Sequence, residues 1–537
     1  MRKLAMSDWL NFLPMLLPTA LVAAVLVPDS LTRRHVVSWR RWINIAVASQ
    51  VAVLLVVFAI RWWGVASGAT DGLLASGELS SGELGVASPV LLDGLSGLML
   101  LLVTFIGWVT CQYSIEYLDG SPNQGRYYRF SAVTIGAVSW MVVSGHLVVF
   151  AVAWIAMNLA LHQLLVLHPE QPGAKRAAWT KFAINRVGDV ALLAGFGLLF
   201  VHFDSPYLQD IFASVGNMVI DSQSVPTTLL AACAFLMIAA VIQSVQFPFH
   251  TWLPETLNSP TPVSALMHAG IVNAGGYLVI RFSPIFELVP TNLHVLAIIG
   301  LFTTVMAAAV MMTQTSVKKS LAYSTIAQMG FMMLQCGLGA YTAATVHIVA
   351  HSLYKANSFL RSGSVVSDAK AITGASDLKQ PLTWYETTFA ITAACVLFAI
   401  VSIQLNVSPN EKAGGLILGG ILCLALSHWI GEAIRSGSRW LVVQCTAISG
   451  LICLLYVGCY LATDALTAGS LPSLPTPTNN LVVTSTIAAG FAGLLVLQSR
   501  IRSASETPWL QTLQIHASNG FYIDHCIRRV FRAFASA

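Results

Sequence analysis

The chain has 537 residues, of which 56% are hydrophobic and 9% charged, where a soluble domain carries about 25% charged residues. With a mean hydropathy of +0.72, this argues against a soluble protein and for helices that repeatedly cross a bilayer. The small net charge of +5 and nine cysteines without a CxxC pair speak against a nucleic-acid partner and against an iron–sulfur or zinc site in this chain.

The apolar runs are too long and unbroken for barrel strands. A spanning helix needs about 20 apolar residues. The candidates in order are Leu10–Val27, Ile43–Trp63, Leu91–Gln112, Ser131–Ser144, His146–Leu167, Phe182–His202 and Thr227–Val245. Then follow Val263–Ile280, Leu293–Thr313, Leu321–Leu338, Ala343–Leu360, Trp384–Ile403, Leu416–Ile434, Leu441–Leu461 and Leu481–Leu497, about fifteen in all. The N-terminus lacks a signal-peptide cleavage pattern, so its first run reads as a retained helix. No Gly-rich phosphate loop stands between a strand and a helix, and no cofactor is expected.

Lysine and arginine set the orientation, because cytoplasmic loops collect them. Arg33, Arg34, Arg40 and Arg41 place the first loop inside. The second loop has only Asp71, Glu78 and Glu83 and falls outside. Alternation then puts Arg126, Arg129, Lys175, Arg176, Lys181, Lys318, Lys319, the stretch Arg361 to Lys379, Arg435 and Arg439 inside, and a loop with Asp204, Asp210 and Asp221 outside. Arg2 and Lys3 dissent. Leu471–Asn480 reads as an exposed linker. The tail after Gln498 is basic, and Ile523, Ile527, Val530 and Phe531 fall roughly on one helical face, fit for the inner leaflet or a cytoplasmic partner.

The pattern breaks between Val241 and Tyr277, where Pro248, Pro254, Pro260 and Pro262 follow one another closely. Proline lacks a backbone donor and disturbs the preceding turn, so one helix stops here and another starts. Irregular backbone at membrane depth is tolerated only where protein or a water-filled cavity covers it. His268 lies inside the apolar segment that follows.

Ionisable residues within spans mark candidate functional sites. His347, His351 and Lys355 are spaced four and four, a helical stripe that climbs about 12 Å. Imidazole and a buried amine both exchange protons readily, so the stripe reads as a proton relay. The alternative is a hydrogen-bonded structural cluster, with Lys355 reaching to the surface. Arg186 and Asp189 are spaced to pair on one helical face, as a structural or a field-setting pair. Asn158 with His162, and His428 with Glu432, read as satisfied interior contacts.

FPFHTWLPETLNSPTPVSALMHAG, SVKKSLAYSTIAQMGFM and HIVAHSLYKANSFLRSGSVV resemble the antiporter-like proton-conducting subunits of respiratory complex I, most nearly the NuoL type. DGLSGLMLLLVTFIG at Asp93, NRVGD at Arg186–Asp189 and NGFYID at Asn519–Asp524 extend the resemblance. It implies an all-α polytopic membrane fold with two inverted five-helix repeats, each with a broken helix. The implied division is residues 1–130, N-terminal helices; 131–281, first repeat; 282–434, second repeat; and 435–537, C-terminal helices and tail. It also implies a proton path through His268, His347, His351 and Lys355, supported by Arg186, Asp189, Gln243 and His162.

The departures are informative. Ile155 stands where that family has a glutamate, and Gln243 where it has the broken-helix lysine. The twelfth span has no lysine. Neither replacement can change protonation, so a first-repeat path cannot run as in a respiratory pump. LMHAGIVNAGGYL, His162 in LALHQLL and the shorter chain are closer to the DabB-type membrane subunits of inorganic carbon accumulation complexes. That resemblance implies a bacterial inner-membrane subunit, not itself an enzyme. It conducts a cation, H+, to drive a DabA-like zinc-binding cytoplasmic partner with carbonic-anhydrase-like chemistry. The alternative is a proton- or sodium-translocating subunit of a respiratory or Mrp-type antiporter complex.

Overall fold

A computed structural model describes residues 6–66, 89–168, 170, 172–221, 224–256, 259–363, 383–409, 412, 414–471, 480–503, 508–527 and 529. Among them the backbone is helical, with only two isolated β-bridges. The helices are α1 (Met6–Ala23), α2 (Asp29–Arg34), α3 (Val36–Ala66), α4 (Gly94–Tyr117), α5 (Gln124–Val143), α6 (Leu147–Leu165) and α7 (Pro172–Phe203). Next come α8 (Leu208–Ile220), α9 (Thr227–Gln243), α10 (Trp252–Glu255), α11 (Thr261–Ala269), α12 (Ala274–Arg281), α13 (Ser283–Glu287) and α14 (Pro290–Thr313). The last are α15 (Val317–Gly337), α16 (Tyr341–Leu360), α17 (Trp384–Gln404), α18 (Gly415–Arg435), α19 (Arg439–Leu466), α20 (Leu481–Ser503) and α21 (Pro508–Ser518).

Ten helical segments among the described residues are long and apolar enough to cross a membrane, and α1, α5, α9, α15 and α16 lie on the other five expected spans. α5, α15 and α16 have 20, 21 and 20 residues, but they carry Arg126 and Arg129, Lys318 and Lys319, and the His347–Lys355 stripe. α9 is apolar but stops at Gln243 after 17 residues. Two expectations change. The loop holding Asp204, Asp210 and Asp221 contains α8, a 13-residue helix that buries Leu208, Ile211 and Val215. Lys181 lies in no loop: it sits inside α7 and is 1% exposed. Most of the second loop with its acidic residues, the linker core 472–479, Lys379 and the tail residues Arg528, Val530, Phe531 and Arg532 lie outside the described residues.

Packing divides the chain into two compact units. The first is Met1–Asn292 with His347–Arg361 and Leu466–Leu474; the second is Leu293–Val346, Ser362–Ala465 and Pro475–Ala537.

In the first unit the proline-rich stretch breaks the helix as expected. α9 ends at Gln243, and Val245 takes φ 49°, a left-handed conformation that costs a β-branched residue about 1–3 kcal/mol. The Thr261–Arg281 span that follows is 94% buried and is itself interrupted. α11 ends at Gly270, a 3-10 turn covers Ile271–Asn273, and α12 resumes. The end of α9 satisfies carbonyls of that turn: Gln243 Nε2 donates to the Ile271 carbonyl at 3.3 Å, and Ser244 Oγ to that of Val272 at 2.8 Å. Gly275 permits the approach, because a Cβ there would collide with the Ala240 carbonyl and Ser244 Oγ. The end of α9 thus supplies partners for carbonyls of the interrupted span, as buried backbone requires.

A buried ion pair fastens the other end of α12. Arg281 forms a two-pronged contact to Asp93 at 2.6 and 2.9 Å. Asp93 also caps α4 by accepting from the Ser96 backbone N–H at 2.8 Å. Burial works to raise the Asp93 carboxyl, yet the Arg281 guanidinium and the Ser96 bonds hold it below its ordinary value. On α13, burial pushes the Glu287 carboxyl up from 4.5 to about 8.

In the second unit, α14 and α15 pack at backbone distance. A Cβ on Gly337 would strike the Leu293 carbonyl and the Ala297 amide, the close approach that small residues allow between membrane helices. Ala297, Leu301, Leu334, Leu418 and Ile487 form the core beside them. Asp464 of α19 accepts from Thr342 Oγ1 at 3.0 Å and pairs with Lys412 at 3.1 Å.

Candidate functional site

Besides the Asp93–Arg281 pair, two larger polar clusters stand out among the described residues of the first unit. The first is the expected stripe on α16. Lys355 and His351 are 1% and 5% exposed, while His347 is half-buried. The His347 and His351 ring centroids are 5.9 Å apart. His268, 2% exposed, stacks on Phe359 with ring centroids 4.2 Å apart. His351 lies within electrostatic reach of His347, Lys355 and His268, and its Nε2 is buried with no hydrogen-bond partner among the described residues. Asn273, in the turn between α11 and α12, donates to Ser352 Oγ at 2.9 Å and to the Ala269 carbonyl at 2.9 Å. The four residues expected to form a proton path therefore share one interior site, joined to the broken Thr261–Arg281 span.

Physical chemistry explains what such a group can do. The α16 spacing of four stacks side chains on one face, so the titratable nitrogens follow one another along the helix. Ionisable groups at such depth are expensive and are found where protons or ions move. Imidazole and amine side chains are the groups able to take up and release a proton there.

The second cluster joins α6, α7 and α9. Its centre is Asn158, 1% exposed. Lys181 Nζ donates to the Asn158 backbone carbonyl at 3.1 Å and to its Oδ1 at 3.2 Å. Asn185 donates to the same Oδ1 at 2.8 Å. Gln243 Oε1 accepts from Asn158 at 3.2 Å and Asn185 at 3.4 Å. Asp189 closes the cluster. It binds Trp154 Nε1 at 3.0 Å and Asn158 Nδ2 at 3.5 Å, and pairs with Arg186 at 2.6 Å.

The supporting residues expected from sequence thus divide. Arg186, Asp189 and Gln243 meet in this network. His162 stands apart, its Nδ1 3.2 Å from the Ala178 carbonyl, with its ring among Trp179 and Phe182 at 5.0 and 5.1 Å. Ile155 is half-buried and carries no charge. Lys181, Asn185 and Trp154 were missed in the sequence. The available signal was the spacing Lys181–Asn185–Asp189, four and four, the same pattern that marked the stripe on α16.

Residues 144–406 match the family described as "NADH:quinone oxidoreductase/Mrp antiporter, TM", and residues 79–128 match "NADH-Ubiquinone oxidoreductase (complex I), chain 5 N-terminus". Over 462 residues the chain is 33% identical to the "Probable inorganic carbon transporter subunit DabB2" of Halothiobacillus neapolitanus, covering 85% of this chain and 82% of that protein. It is 44% identical over 276 residues to the "Probable inorganic carbon transporter subunit DabB" of Hydrogenovibrio crunogenus, covering 51% of this chain and 52% of that protein. The fold resembles a chain of the Mrp complex from Dietzia sp. DQ12-45-1b, with a TM-score of 0.62 and 23% identity over 98% of this chain and 60% of that one. This multi-pass, all-α membrane protein therefore belongs to the DabB family of inorganic carbon transporter subunits, within the antiporter-like superfamily of complex I and Mrp.

Proposed function

We propose that the chain is the membrane subunit of an energy-coupled inorganic carbon accumulation complex in a bacterial inner membrane, and that it conducts H+. The observation that carries this reading is the 33% identity to a carbon-transporter subunit over most of both chains. The proton path runs through His268, His347, His351 and Lys355, with residues 131–281 and 282–434 as the two inverted repeats. Flux through the path drives a DabA-like zinc-binding cytoplasmic partner, in which CO2 and water give bicarbonate and a proton. The basic inner face is compatible with such a partner. The chain itself supplies conduction rather than catalysis.

The family match over residues 144–406 is shared with respiratory and Mrp proteins, so a proton- or sodium-translocating antiporter subunit is the rival. Purification of the intact complex separates the two. A large zinc-containing cytoplasmic subunit supports carbon accumulation; iron–sulfur and quinone-reactive subunits support the rival. Lys355→Ala is expected to abolish growth at limiting CO2 while the protein still inserts in the membrane. Full carbon-dependent growth of that variant would remove Lys355 from the path.

A further inference from the structure

Resting on that reading of the chain as a proton conductor, we propose that Lys181 is a second proton-holding residue, seated on Asn158, which Asn185 and Gln243 hold in a carboxamide cradle. Four observations carry this. Lys181 is 1% exposed, deep in α7. Its Nζ bonds only to oxygens of Asn158 at 3.1 and 3.2 Å, and among the described residues it makes no ion pair. The one carboxylate in the cluster, Asp189, is already engaged by Arg186 at 2.6 Å and by Trp154 at 3.0 Å. The charged and titratable groups that interact with Lys181 are Asp189, Arg186 and His162. Arg186 and Asp189 balance each other, so a protonated Lys181 is the uncompensated charge of the cluster.

A purely structural role is a poor account of this placement. Burying an ammonium without a counter-ion is costly, and an apolar or amide side chain would fill the space more cheaply. What an amine offers that an amide does not is the ability to take up and release a proton. Asn158, Asn185 and Gln243 keep one protonation state: Asn158 solvates the ammonium, Asn185 and Gln243 hold Asn158 in place, and none of them accepts the charge.

The cradle is also tied to the stripe on α16. Asn158 donates to Gln243, and Gln243 donates to the Ile271 carbonyl at 3.3 Å. Two residues along that same turn, Asn273 donates to Ser352, next to His351. The carboxamides do not carry protons along this line. They fix the turn between α11 and α12 relative to both amines.

The test uses the whole purified complex in liposomes with an interior pH indicator, with assembly checked by gel filtration. The variants are Lys181→Gln, Lys181→Arg and the double exchange Lys181→Gln/Gln243→Lys. Flux at least tenfold below wild type is expected for both single variants, because a guanidinium stays protonated at every working pH. The double exchange, which moves the amine to the other side of Asn158, is expected to regain flux with an altered pH profile. Wild-type flux in Lys181→Gln overturns the proposal. Wild-type flux in Lys181→Arg also overturns it, because a fixed positive charge then suffices. If Lys181→Gln fails to assemble, Lys181→Arg decides alone. A wild-type complex that passes no protons overturns the conduction reading and this proposal with it. A conducting wild type with unaffected Lys181 variants overturns only the proposal.

Discussion

The two polar clusters of the first unit solve the problem of buried charge differently. On α16, three titratable side chains stand in series with a fourth, His268, close by. Around Asn158 there is a single amine, an internally matched Arg186–Asp189 pair, and three carboxamides. A series of titratable groups can hand a charge along. An amide cradle holds one charge in one place. On the proposed reading α16 relays and the cradle stores, and a chain that lacks Glu and Lys at positions 155 and 243 still presents an amine, Lys181, beside Asn158.

The largest expected effect comes from Lys355→Ala. Removing a positioned proton-transfer group typically costs about 100-fold or more in rate. Proton flux in liposomes should fall by at least that much with assembly unchanged. His268→Phe keeps an aromatic ring over Phe359 and removes the titratable nitrogens, so flux should fall less steeply than with Lys355→Ala. Equal flux in this variant and wild type would detach His268 from the relay.

Asp93→Asn tests fold rather than path, since it leaves both clusters untouched. Breaking one partner of a buried pair costs about 3–5 kcal/mol, read as a lower melting temperature in detergent. The folded-state carboxyl is depressed, so its contribution is present above the unfolded value and is lost as pH falls through the folded one. Glu287 is the opposite case. Burial raises it from 4.5 to about 8, so the folded chain binds the extra proton and stability declines as pH rises between those values. Glu287→Gln should flatten that slope in melting temperature against pH. The smallest effect belongs to His162→Phe. It removes one hydrogen bond, worth about 1 kcal/mol, and should leave flux unchanged; a large loss of flux would place His162 in the cradle's function.

The sequence disclosed some of this directly. Pro248 to Pro262 announced the break because proline acts on its own backbone, and the stripe on α16 was legible because its members lie on one helix. The cradle was not, because its contacts are long-range: Gln243 reaches Asn158 across 85 positions and Asn185 across 58. Lys181 was misread for a related reason. It follows Lys175 and Arg176, and a basic residue near a helix start looks like a loop charge until packing buries it. The spans were legible because each apolar run folds as a local helix: even the less apolar α5, α15 and α16 and the short α9 fall where a span was expected.

Proton flux into liposomes holding the purified complex, wild type beside Lys355→Ala, tests the account most directly. A proton-conducting chain gives a flux that depends on the imposed proton gradient and is lost in Lys355→Ala. A fully assembled wild-type complex that passes no protons, or an undiminished flux in Lys355→Ala, would contradict it.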